Sequence, residues 1–308
     1  MCVIILVWLL FCITLRNKQF SKVLMKNTFI SLLILITPFI HTYGQRLSID
    51  IMPGLMNYSG DLQPSPLTFK EAGLAMEAGL QYKLTDNLYV RGDYLAGTVQ
   101  ADDKKNPLKY RGRNLNFKSV ILEGSFSLEY DFFKFRVDRQ WTPYIFAGVA
   151  YFYFNPYTHD TAGTKYYLEP YGTEGQGLAQ YPNRKFYNIY QFNIPAGFGL
   201  KYAINDKWSV GFEVGFRKLF TDYLDDVSTT FPDPNLLMAA RGPTAVELSS
   251  RTGELTTSVV PFPTGAKRGN PSSKDYYYTG LLRLTYTFIN YNAVQAASYK
   301  RLVGCPRL

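Results

Sequence analysis

The chain has 308 residues and a formal charge of +9, and 16% of it is aromatic, with 25 Tyr and 22 Phe. Four of the surplus charges, Arg16, Lys18, Lys22 and Lys26, sit in an acid-free leader, which leaves +5 on the remainder, scattered singly and not in the stripe a nucleic-acid face requires. Cys2 and Cys12 fall in the leader, Cys305 stands alone after it, and His41 and His159 are the two histidines, so the processed chain has neither a disulfide pair nor a cysteine metal cluster.

Met25-Lys26 opens a short basic start, an apolar run from Phe29 to Ile40 follows, and Thr42-Tyr43-Gly44 puts small residues at the third and last positions before a cut. This pattern predicts a signal peptide over 25–44, cleaved before Gln45. Val3 to Leu15 is a second apolar run. We read 1–24 as an over-extended start, with translation beginning at Met25 and an inner-membrane anchor as the alternative. Both runs are short for a helical span.

Beyond Gln45 the signal changes to period-two alternation, the mark of a strand with two unlike faces. In the first strand, near 46–55, Leu47, Ile49 and Ile51 oppose Ser48 and Asp50. Next, Leu74, Met76, Ala78, Leu80 and Tyr82 oppose Glu77, Gly79, Gln81 and Lys83. Leu88, Val90, Tyr94 and Ala96 then oppose Arg91 and Asp93, and Val120, Leu122, Phe126, Leu128 and Tyr130 oppose Glu123, Ser125, Ser127 and Glu129. The segment 143–154 is apolar on both faces, so its sides stay unassigned. Phe192, Ile194, Ala196, Phe198, Leu200 and Tyr202 oppose Asn193, Gly197, Gly199 and Lys201. Trp208, Val210, Phe212, Val214 and Phe216 oppose Ser209, Gly211, Glu213, Gly215 and Arg217, and Leu282, Leu284, Tyr286 and Phe288 oppose Arg283, Thr285 and Thr287.

These eight strands each approach the ~9–11 residues of a tilted membrane strand. Their connections alternate in length. Thr85-Asp86-Asn87, 132–141 and Asn205-Asp206 are short, whereas 62–70, 101–114, 155–184 and 225–275 are long. Short turns on one rim and long loops on the other predict an all-β fold: a closed antiparallel eight-stranded transmembrane β-barrel with short periplasmic turns and long extracellular loops, in a bacterial outer membrane. The barrel spans 45–290, and 291–308 is expected to be a flexible periplasmic tail.

The expected lumen holds Glu77, Arg91, Asp93, Glu123, Glu129, Lys201, Glu213, Arg217 and Arg283. Side chains just fill an eight-stranded barrel, so a structural polar network is the reading, weighed against a narrow pore or small-ligand site. Catalysis would need a base, and His159 beside Asp160 is the available pair; no nucleophile elbow, metalloprotease motif or phosphate loop accompanies it. We therefore expect no enzyme, no cofactor and no metal. The long loops are rich in Tyr, Gly and Pro, a composition that suits protein contacts or plain surface coverage. Within them 234–240 has the composition of a short helix. Asp225-Asp226 is a candidate cation contact, weighed against a solvated turn.

Several segments carry a resemblance: Met56-Asn57-Tyr58-Ser59-Gly60-Asp61-Leu62, Arg113-Asn114-Leu115-Asn116-Phe117-Lys118-Ser119, Thr142-Pro143-Tyr144-Ile145-Phe146-Ala147-Gly148-Val149-Ala150-Tyr151-Phe152, Phe154-Asn155-Pro156 and Asn193-Ile194-Pro195-Ala196-Gly197-Phe198-Gly199. In colinear order they resemble a Bacteroidota outer-membrane barrel family that includes PorG, a component of the type IX secretion system. The resemblance implies a non-enzymatic barrel that contacts outer-membrane lipid and the periplasmic ring proteins of that machinery, with no catalytic residues. The chain departs from it in the 225–275 loop and the tail, so PorG itself and a paralogue both stay open, as does oligomeric state. A small porin-like or ligand-binding barrel is the competing function.

Overall fold

A computed structural model describes residues 47–63, 68, 71–105, 112–134, 140–255 and 262–288. The expected leader and tail lie outside these. Eight long strands form the barrel: β1 (Leu47–Ser59), β2 (Gly73–Lys83), β3 (Leu88–Asp102), β4 (Asn116–Asp131), β5 (Trp141–Tyr153), β8 (Tyr190–Ala203), β9 (Trp208–Leu219) and β10 (Tyr276–Thr287). A small hairpin, β6 (Tyr157–His159) and β7 (Lys165–Tyr167), and two helices, α1 (Pro234–Arg241) and α2 (Pro243–Ser249), lie in the long loops. Each long strand pairs with its neighbour, and β1 pairs antiparallel with β10, so the ring closes and no barrel edge is left to aggregate.

The short turns use one chemistry twice. Leu84 and Thr85 N–H both donate to Leu88 O, and Ile204 and Asn205 N–H both donate to Trp208 O. Side-chain oxygens then cap the turns: Thr85 Oγ1 accepts from Asn87 and Leu88 N–H, and Asn205 Oδ1 from Lys207 and Trp208 N–H. The described residues between β4 and β5, 132–134 and 140, share this turn rim. The described residues of 60–72, 103–115, 154–189 and 220–275 share the other, the loop rim.

Alternation places the apolar face outward on every strand. Leu74, Phe192 and Leu282 are 77%, 66% and 63% exposed, and the outward set of β5 is Ile145, Ala147, Val149 and Tyr151. A continuous apolar surface of this extent belongs in hydrocarbon. Aromatic rings bracket it. Tyr130, Trp141, Tyr202 and Trp208 ring the turn side, and Tyr151, Tyr190, Phe192 and Phe216 ring the loop side, all exposed. On β8 the step from Tyr202 to Phe192, at ~3.3 Å per residue and a tilt of ~40°, rises about 25 Å, the height of an outer-membrane apolar band.

Inside, glycines admit the rings of their cross-strand partners. Tyr144 pairs with Gly199 and Phe146 with Gly197. A Cβ on Gly199 would lie 2.4 Å from the Tyr144 ring, and one on Gly197 would lie 2.6 Å from the Phe146 ring.

The interior has two layers, where alternation alone implies a polar lumen throughout. The turn side is polar. Toward the loop rim apolar residues join it, with Met52, Met56, Leu95, Val99, Ile121 and Leu281 facing in. The two sets meet where Leu95 pairs with Glu123 and Leu281 with Glu213, and Arg217, opposite Tyr277, carries charge further toward that rim. Leu168, Leu224, Val227 and Leu248, from the long loops, pack into this upper layer. The loops are thus a folded cap seated in the barrel mouth.

Candidate functional site

The expected lumen residues are all buried and lie in the polar layer. Arg91 is its hub. Its guanidinium meets Glu213 at 2.8 Å, Glu129 at 3.0 Å, and Glu77 and Asp93 at 3.2 Å each. Arg217 continues the chain, reaching Glu77 at 3.1 Å and Glu123 at 3.2 Å. Arg283 grips Asp50 through two nitrogens, at 2.8 and 3.2 Å, and meets Glu129 at 2.7 Å. Lys201 bridges Glu129 at 2.6 Å and Asp131 at 2.7 Å. The nine residues therefore join in one network.

Neutral donors complete it. Gln81 donates to Glu129 at 2.6 Å, Tyr144 to Glu213 at 2.7 Å, Asn193 to Glu123 at 2.7 Å, and Tyr277 to Glu123. Each of the eight barrel strands contributes at least one group. Such pairing is what makes buried charge tolerable, because an isolated ion loses its hydration and gains nothing in return. Asp50, Gln81, Asp131, Tyr144, Asn193 and Tyr277 belong to the network without having been singled out in sequence. Asp50 and Asp131 carried a usable signal, since each shares the inward phase of its strand. Tyr144 carried none, because both faces of β5 are apolar.

The cap is knitted by three buried arginines. Arg268 pairs with Glu174 at 3.1 Å and Asp226 at 3.6 Å. Arg113 holds Asp103 through two bonds, at 2.8 and 3.1 Å, and donates to the carbonyls of Arg268 and Asp61. Arg251 pairs with Glu254 at 2.8 Å and donates to Asn116 and to His159 O. Glu174 also accepts from Ser228 and Thr229 N–H, so one carboxylate ties the 154–189 segment to the 220–275 segment.

The expected short helix is α1, with Asp233 as its N-cap accepting from Asn235 and Leu236 N–H. Asp225-Asp226 departs from the solvated-turn reading, because both residues are almost wholly buried. Asp226 takes a left-handed backbone (φ 66°) that turns its carboxylate to Arg268 and the Tyr187 hydroxyl. Burial pushes that carboxyl up to about 6, against the opposing pull of Arg268. Among the described residues no cluster of three acids, histidines or cysteines is placed to hold a metal ion.

His159 is exposed in the β6–β7 hairpin, its ring edge-on to Tyr157 at 5.6 Å. Asp160 is spent on its own turn, accepting from Thr164 N–H at 2.8 Å. Among the described residues no hydrogen bond joins the two side chains. A groove of about 830 Å³ lies elsewhere, on the outer wall between Ile51, Leu80, Tyr94, Phe126 and Val149. Its lining is mainly the lipid-facing set, with buried Asp50 and Asp93 behind it, so it belongs to the membrane belt.

Comparison with known families adds one assignment. A family model described as "Domain of unknown function (DUF6089)" matches residues 26–238, well over half of the chain. The chain belongs to the DUF6089 family. The matched region takes in seven barrel strands and ends within α1, so β10 and most of the long cap segment lie beyond it. No curated protein matches. Among solved structures the chain is similar to Neisserial surface protein A (11% identity, 79% of this chain and 97% of that one, TM-score 0.37). It is also similar to Ail of Yersinia pestis (8%, 78% and 97%, 0.37) and to OprG of Pseudomonas aeruginosa (11%, 79% and 96%, 0.36). At such identities and scores nothing of their activities transfers to this DUF6089 barrel; its fold stands on its own closed ring of strand pairs.

Proposed function

We propose that this protein is a non-enzymatic barrel of the bacterial outer membrane, exported by a signal peptide cut near Gln45, and that it acts through its surfaces as an associate of the type IX secretion machinery. The observation that carries the non-conducting part is the filled interior. Charged or hydrogen-bonding side chains from every strand fill the lumen, and the apolar cluster and the cap fill its mouth. A filled barrel of this size anchors and presents; it does not conduct.

The secretion role rests on the signature segments. Several of their residues meet where barrel joins cap: Tyr58, Asp61, Arg113 and Asn193 all bond across that junction or into the network below it. Periplasmic ring proteins of the type IX apparatus are the partners this reading names, with outer-membrane lipid around the belt. Crosslinked pull-down from native outer membranes should recover those ring proteins. Normal secretion of type IX cargo by cells lacking the protein would overturn the role while leaving the anchor reading intact.

A further inference from the structure

Two acids from opposite ends of the 220–275 segment meet on one hydroxyl. Asp225 follows β9, and Asp275 immediately precedes β10. Tyr58 of β1, fully buried, donates to Asp225 Oδ2 at 2.5 Å, and its oxygen lies 3.2 Å from Asp275 Oδ1. A hydroxyl has one proton to give. With that proton on the Asp225 bond, the second contact is a hydrogen bond only when Asp275 is protonated and donates to the tyrosine oxygen. Two ionised carboxylates would instead set lone pair against lone pair.

The surroundings favour one charge and no more. Asp225 accepts from Leu62 N–H at 3.2 Å and Val227 N–H at 2.9 Å, and Asp275 Oδ2 accepts from Leu224 N–H at 2.9 Å. Among the described residues neither acid makes an ion pair. Asp61 and Asp222 face them as further acids. The cations of the region are Arg268, already engaged with Glu174 and Asp226, together with Arg113 and Lys267 toward Asp61 and Lys274 toward Asp222. Gly60 closes the pocket, where a Cβ would lie 2.0 Å from Asp275 Oδ1 and 2.1 Å from the Tyr58 hydroxyl.

We propose that Tyr58, Asp225 and Asp275 form a proton-held latch that fastens both ends of the cap segment to the barrel mouth, and that the cap loosens when the proton is lost. Burial pushes both latch carboxyls well above the ordinary range, and the charge of Asp225 adds to the rise at Asp275. Asp222 beside them is pushed up to about 7, again by burial. An acid whose folded value is raised stabilises the fold fully below its unfolded value of ~3.9, and that contribution is lost as pH rises through the folded value. The cap is therefore tightest in mild acid and loosens through neutral into alkaline pH.

The test uses the full chain folded in lipid nanodiscs. Hydrogen exchange of the Leu62, Leu224 and Val227 amides is followed from mild acid to alkaline pH, each rate normalised to the unfolded chain at the same pH. Protection should fall by up to about tenfold per pH unit between the open-state carboxyl value of ~3.9 and the latch's own titration and then level off, while barrel amides such as Phe212 and Leu282 stay constant. In Asp275→Asn the amide N–H₂ supplies a permanent donor to the tyrosine oxygen, so the latch's part of the pH response should vanish, leaving only the smaller response of neighbouring Asp222. Infrared spectra of the unaltered protein give a second readout that needs no variant: a protonated-carboxyl band that disappears on alkalinisation. Flat protection of the three amides across the range, a full pH response in folded Asp275→Asn, or no such band would each overturn the latch.

Discussion

Arg91 touches four carboxylates and has no water to fall back on. Arg91→Met should therefore destabilise the barrel by about 3–5 kcal/mol, because it strands buried charges and leaves their hydration unrecovered. Urea unfolding in detergent measures this. Lys83→Ala is the control: its pair with Asp86, at 3.3 Å, is solvent-exposed, and its loss should shift stability by no more than about 1 kcal/mol. Glycines divide in the same way. Gly199→Val drives a side chain into Tyr144 and Phe212 O and should cost about 1–3 kcal/mol or more, whereas Gly92→Ala points into open space and should be near neutral. At this scale the sequence yields which residues point inward, since Glu129 and Arg283 share the phase of their strands. It does not yield who pairs with whom. Asp50 meets Arg283 across 233 positions, and that meeting depends on the closure of β1 on β10.

The strands were legible as elements because lipid outside and a packed interior inside impose a strict period of two. The sorted connections were legible too, since hairpin chemistry is local. The cap was not. Its ties run between loops with no periodicity, and Arg268 brings together Glu174 and Asp226 from segments that sequence spacing cannot relate. For the same reason Asp225-Asp226 reads as a solvated turn until Tyr58 and Arg268 are placed beside it. The apolar upper lumen was equally hidden, because Met52 and Val99 look like breaks in alternation until the cap packs on them. Arg268→Met should loosen the cap by about 3–5 kcal/mol, leaving Glu174 and Asp226 unpaired, while the strand network below is untouched. Limited proteolysis should then cut within 154–189 and 220–275 and spare the barrel. Cutting of the strands at the same rate would mean that cap and barrel unfold as one unit.

At the scale of the molecule, an apolar belt of about 25 Å surrounds a core in which every strand contributes charge or a hydrogen bond. Closure makes this possible, because a ring leaves no strand edge for lipid to meet. In planar bilayers the purified protein should show no steady conductance, and Arg268→Met should not create one, since the lower network remains. A steady ohmic current through the unaltered protein would contradict the filled lumen.

The most direct measurement is site-directed spin labelling in nanodiscs along β8, β9 and β10, with Cys305 replaced and single cysteines placed at successive positions. Labels at Leu200, Phe212 and Leu282 should collide freely with oxygen and hardly at all with a water-soluble nickel reagent, and labels at Lys201, Glu213 and Arg283 should be shielded from both. Nickel access at the three outward positions, or no alternation along the strands, would contradict a barrel that turns its apolar face to lipid.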